Sequence, residues 1–116
     1  LGLTTLYVTH DQTEAMSMSS VVAVMNQGRI EQEAPPRELF RYPRTRFVAE
    51  FLGAYNIFDA RVQRSSGATA VVETPIGMIV AATAPGTDAN GAVAIAIRPE
   101  DIRIQRGRDG FAGVVE

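Results

Sequence analysis

Apolar and polar positions change rhythm several times along the chain, and each change predicts a different element. Leu3 to Thr9 (LTTLYVT) is β-branched, aromatic and nearly continuous in apolarity, the pattern of a strand buried on both faces in a parallel sheet. His10 closes that run. Asp11 then has N-cap chemistry, and Glu14 follows at the spacing of a reciprocal capping box, so a short helix is expected over Gln12 to about Met18. Ser17, Ser19 and Ser20 weaken its end, because serine hydroxyls compete for the backbone. Val21 to Met25 (VVAVM) predicts a second buried strand, closed by a turn at Asn26-Gln27-Gly28. Arg29 to Glu33 (RIEQE) alternates, as a strand pairing back along an exposed edge would.

Pro35-Pro36 opens a helix over Arg37 to Tyr42, since proline suits a first helical turn, and Pro43 stops it. Thr45 caps a third helix, in which Phe47, Val48, Phe51 and Leu52 form an apolar stripe predicted to be core. Gly53 stands where a glycine ends such a helix. From Tyr55 the character changes. Glycine, threonine and valine rise, and short strands are expected at Ile57–Gln63, Ala68–Glu73, Met78–Ala82, Val93–Arg98, Ile102–Gln105 and Phe111–Val115. Strands at that spacing, with turns between them, predict a small sandwich or barrel. A boundary near residues 53–56 therefore divides an α/β part, residues 1–54, from an all-β part, residues 55–116.

Composition narrows the classes. With 46% hydrophobic and 21% charged residues in 116, the chain reads as soluble and globular, long enough for one domain or two small ones. No apolar run approaches the roughly 20 residues of a membrane span, and the N-terminus lacks the pattern of a signal peptide. Cysteine is absent, which removes disulfides, thiolate metal sites and a cysteine nucleophile. A net charge of −2 speaks against a nucleic-acid partner. All 11 basic residues are arginine, so neither a Schiff-base lysine nor a P-loop lysine exists here. Leu1 falls inside a β-like run and FAGVVE reads as the opening of another strand, so a fragment of a longer protein is expected.

Candidate chemistry centres on His10, the only histidine. An imidazole at a strand's carboxyl end projects into the crevice where α/β sheets bind ligands, and it can donate a hydrogen bond to a phosphate oxygen. The plain alternative is an ordinary strand-end or capping histidine. His10, Asp11 and Glu14 also have the look of a metal set for a small hydrolase, but capping accounts for both acids and no metal is expected. Glu100 and Asp101 cannot flank one bond from adjacent strand positions, and a turn is expected there, with Arg98 in a local contact. Arg37, Arg41, Arg44 and Arg46 read as a solvated face, with a contact to a membrane subunit or anionic lipid as the alternative.

Three segments in order carry a resemblance. YVTHDQTEAM resembles the switch segment of ABC-transporter ATPase subunits, of the importer subclass serving sugars, polyamines, iron, sulfate and phosphonates. VAVMNQGRIEQEAPPRELFRYPRTRFVAEFLG resembles the strand, turn and two helices that follow it, and AIRPEDIRI the start of the appended regulatory β domain, an OB-like barrel often called TOBE. Together they cover about residues 4–59 and 93–105, and FLGAYNIF looks most like the spermidine/putrescine branch. Ser20-Val21 departs from the family, which usually places an acidic and then a basic residue there.

The resemblance implies that His10 reaches the γ-phosphate of ATP held between two ATPase subunits, with Gln12 and Thr13 near the opposing subunit. It also implies Mg2+, a homodimer, membrane-spanning permease subunits and a peripheral place on the cytoplasmic face of the membrane. The P-loop, the magnesium-holding acids and the LSGGQ-type signature are not in this sequence. The chain alone is therefore expected neither to bind ATP tightly nor to hydrolyse it, and to associate through unpaired strand edges. A free-standing OB-like module for oligosaccharide or nucleic acid is the competing expectation, with Tyr55, Phe58 and Phe111 as its few aromatics.

Overall fold

The computed structural model describes residues 2–53, 56–83 and 89–102. It is an α/β chain with two antiparallel sheets and three short α-helices among those residues, dividing into two compact units, Leu1–Leu52 and Gly53–Glu116.

In the first unit α1 (Gln12–Met18) is followed by a hairpin of β1 (Val22–Asn26) and β2 (Arg29–Ala34). Its two-residue turn, Gln27-Gly28, has both φ values positive, at 49° and 77°, as the hairpin turn that matches strand twist requires. Gln27 accepts this conformation despite its side chain, and Gly28 does so without penalty. Helices α2 (Pro36–Arg41) and α3 (Arg46–Phe51) follow, with Pro36 in the first turn of α2 and Gly53 at φ +73° just beyond α3. Leu39 and Val48, both with no exposed surface, pack with Val24 and Ala34 to form the core.

Two polar devices fix this arrangement. Val24 pairs with Gln32 and Met25 with Ile30, leaving Glu31 as the extra residue of a bulge. Its carboxylate accepts from Asn26 Nδ2 and from Thr45 Oγ1, both at 3.2 Å. Thr45 Oγ1 in turn accepts the Val48 N–H, capping α3. Gln32, only 5% exposed, donates to the Tyr42 carbonyl at 3.0 Å and accepts the Arg44 N–H at 2.8 Å. A buried amide left without such partners would cost about 1–3 kcal/mol, so Gln32 makes this hairpin and this loop mutually dependent.

The described residues of the second unit form a four-stranded sheet in the order β5-β4-β3-β6, from β3 (Asn56–Ser66), β4 (Thr69–Thr74), β5 (Gly77–Ala82) and β6 (Ala92–Ile97). Ala70, Val72 and Ile95 form its core, with Ala60, Val62, Ile79 and Val93 against them. Strand β3 pairs with β6 along its first half and with β4 along its second, and Gln63 is the bulged residue where the register shifts. At the β4–β5 turn the Thr74 hydroxyl donates to the Gly77 carbonyl at 2.7 Å and accepts the Ile76 N–H. Pro99–Asp101 forms a 3-10 turn, as expected of PED, rather than an acid pair.

Three expectations are corrected. Leu3–Thr9 is not a strand: residues 2–9 have no regular secondary structure, and Leu3, Leu6 and Val8 are 85–91% exposed. A strand exists only through its partners, and no described residue pairs with this run. Likewise β1 is not buried on both faces. Val24 is inside, whereas Met25 and Ile30, paired across the hairpin, are more than half exposed. Third, of the predicted stripe Val48 is core and Phe47 and Leu52 pack against it, but Phe51 is not buried. Val48 and Ala49 are the buried residues, and Phe51 stacks on Phe47 near the surface with ring centroids 5.9 Å apart. The expected strand Phe111–Val115, and all of Ile102–Gln105 except Ile102, lie outside the described residues.

Candidate functional site

His10 sits at an exposed bend between the irregular segment and α1. The sequence places it there through its neighbours. Asp11 adopts extended backbone, with φ −87° and ψ 107°, and its Oδ1 accepts the Glu14 N–H at 3.0 Å, which starts the helix. The reciprocal half of the capping box does not form. The Asp11 N–H donates instead to Thr9 Oγ1 at 3.0 Å, a closer acceptor two residues away. That frees the Glu14 carboxylate, which accepts from Tyr7 Oη at 3.0 Å and from Thr9 Oγ1 at 3.4 Å.

The outcome is a closed set of hydrogen bonds spanning residues 7–14, with the His10 ring outside it. Among the described residues, none bonds to that ring. The imidazole can therefore present a donor to an anionic oxygen without first breaking an internal contact. Tyr7 and Thr9 were not singled out by sequence reasoning. The available signal was a pair of hydroxyl side chains flanking the histidine, with a carboxylate one helical turn beyond.

Other candidates settle more simply. No three His, Asp or Glu side chains among the described residues are grouped to hold a metal; Asp11 Oδ1 and both Glu14 carboxylate oxygens accept hydrogen bonds within residues 7–14. Gln12 and Thr13 line a shallow, open depression with Met16, Ser17, Phe40 and Leu52. Arg37, Arg41, Arg44 and Arg46 are all exposed; Arg41 lies over the Tyr42 ring at 5.4 Å, and Arg46 pairs with Glu50 at 2.7 Å. Such exposed pairs are worth about 0.3–0.5 kcal/mol. Of the three aromatics weighed for base stacking, Phe58 is half-buried and lies across from Ile95 of the core, while Tyr55 and Phe111 lie outside the described residues. No described helix is long and apolar enough to cross a membrane.

The chain is 43% identical over 112 residues, 94% of its length, to the spermidine/putrescine import ATP-binding protein PotA of Rubrobacter xylanophilus. The proteins of the same name from Thermobifida fusca and Borreliella afzelii are 42% and 40% identical, over 94% and 99% of the chain. The chain is similar to a part of ABC-importer ATP-binding subunits. It spans 30%, 28% and 32% of the length of those three curated relatives. No protein-family profile matches it. The similarity runs over 94–99% of the chain, so both halves of the sequence contribute to it.

Proposed function

We propose that this chain is the switch-histidine, connector and β-domain portion of an ABC-importer ATP-binding subunit. Residues 1–54 close the ATPase domain and residues 55–116 begin an OB-like regulatory β domain. The observation that carries the reading is His10: an exposed imidazole bonded to no other described residue, held at a bend by its neighbours' hydrogen bonds. An arrangement of that kind suits a donor that meets the terminal phosphate of ATP.

ATP with Mg2+, when bound by the remainder of such a subunit, supplies the phosphoryl group whose transfer drives transport. The role of His10 is to donate a hydrogen bond where negative charge builds on the terminal phosphate. Asp11 and Thr9 hold the bend, and α1 sets its direction. The long β3, bulged at Gln63 and paired on both sides, supports the barrel-like reading of the second half, since a bulged strand turns a sheet toward closure.

The proposed partners are a second ATPase subunit and membrane-spanning permease subunits, at the cytoplasmic face of the membrane. The relatives' names make polyamine the proposed solute class. Exposed Leu3, Leu6 and Val8, with edges of β5 and β6 that no described strand pairs, support self-association of the isolated chain.

The test is a chimera in which this segment replaces the matching region of the Rubrobacter xylanophilus relative. ATP hydrolysis and spermidine uptake are expected in the chimera reconstituted with its permease. The 116-residue chain alone is expected to show neither tight ATP binding nor turnover, and to run larger than a monomer by light scattering. An assembled chimera that binds ATP but never turns it over would count against the assignment. So would turnover by the isolated chain.

A further inference from the structure

Glu14 does more than start a helix. Starting α1 uses its N–H, which Asp11 Oδ1 accepts. Its carboxylate points back past the bend, to hydroxyls three residues and one residue before His10. The segment it reaches has no ladder and little burial, so those two bonds, with the Asp11 N–H on Thr9 Oγ1, tie residues 7–9 to α1. The Tyr7 bond is 3.0 Å long and the Thr9 bond 3.4 Å, so Tyr7 makes the closer of the two. Thr9 Oγ1 serves twice, donating to Glu14 and accepting from Asp11, and so transmits the tie across the bend.

We propose that Glu14 is a positioning residue for His10, acting through Tyr7 and Thr9 to hold the imidazole at one place and angle. The proposal rests on the reading of His10 as a phosphate contact. Untied, residues 7–10 would sample many conformations, and the ring would meet its target only in some of them. A displaced catalytic donor is costly: about 1 Å of misplacement lowers a rate by roughly 10²-fold.

Two measurements test it, one of which involves no nucleotide. In the 116-residue chain, NMR order parameters for His10 and Asp11 should fall in Glu14→Ala, and less in Glu14→Gln, whose carbonyl oxygen still accepts one bond. Tyr7→Phe removes a single tie at an exposed ring and keeps the test valid should Glu14→Ala fold poorly. Order parameters unmoved in both variants would overturn the bracing.

In the chimera, Glu14→Ala should lower kcat about 10–100-fold while KM for ATP stays nearly constant, with Glu14→Gln recovering most of the loss. Tyr7→Phe should add little to Glu14→Ala, because both cut the same tie. A Glu14 that merely caps the helix would change thermal stability and leave kcat alone, and that result sinks the proposal. The two readings fail differently. Full turnover in His10→Ala removes the phosphate role with bracing still visible by NMR, whereas a dead His10→Ala beside a normal Glu14→Ala removes only the bracing.

Discussion

His10→Ala in the chimera is expected to lower ATP turnover by about 10²–10³-fold, the usual cost of deleting one preorganised donor to a transition-state oxyanion. Structure makes this a clean experiment. The ring is exposed and bonded to no described residue, so its removal opens no cavity and strands no buried polar group. Thermal stability should stay within about 0.5 kcal/mol of the parent, as for surface changes away from packed features. KM for ATP should move less than kcat, because the bond to the terminal phosphate strengthens as charge develops. His10→Gln keeps a donor in roughly the same region and should recover part of the rate. Turnover of His10→Ala equal to the parent's would remove the phosphate role altogether.

Leu39→Ala should have the largest effect on stability. Leu39 is completely buried on α2, where it fills the space between Val24, Ala34 and Val48. Deleting so enclosed a side chain costs about 2–5 kcal/mol, as lost transfer energy plus the cavity left behind. A unit of this size has a total stability of only about 3–8 kcal/mol at typical values per residue. The substitution is therefore expected to unfold most of Leu1–Leu52. Amide exchange reads this directly: protection across Val22–Ala34 should collapse, while Thr69–Thr74 keeps its own protection because its core is separate. Leu39→Met conserves volume and should cost less than about 1.5 kcal/mol. Unchanged exchange in β1 and β2 of the alanine variant would mean that the core described around Leu39 is not what holds this unit.

Elements with local causes were legible in the sequence. Helix α1 has the bounds that Asp11 and Met18 imply, α2 starts at the proline pair, and Thr45 caps α3. The Gln27-Gly28 turn and the four described strands of the second half follow their turn residues to within a residue or two, apart from the longer β3. Each of these depends on groups a few positions apart. The misread features share the opposite property. Leu3–Thr9 has strand composition but no described neighbour to pair with, and composition cannot provide one. VVAVM announces two apolar faces, while packing covers only the one that carries Val24. Phe51 fits a helical stripe, but the core around Val48 and Leu39 is covered by Phe47 and Leu52 and leaves Phe51 at the surface.

His10 belongs to both groups. Its place between an apolar run and an N-capped helix, and the absence of lysine and cysteine that excluded rival chemistries, were determined by the sequence alone, because backbone capping and side-chain chemistry act over a few residues. Only tertiary structure decided that Glu14 turns back to Tyr7 and Thr9, that Gln32 ties a hairpin to a distant loop, and that β3 is shared between two neighbours. Those outcomes depend on which acceptor is nearer and which face is covered, and such distances do not exist until the chain has folded.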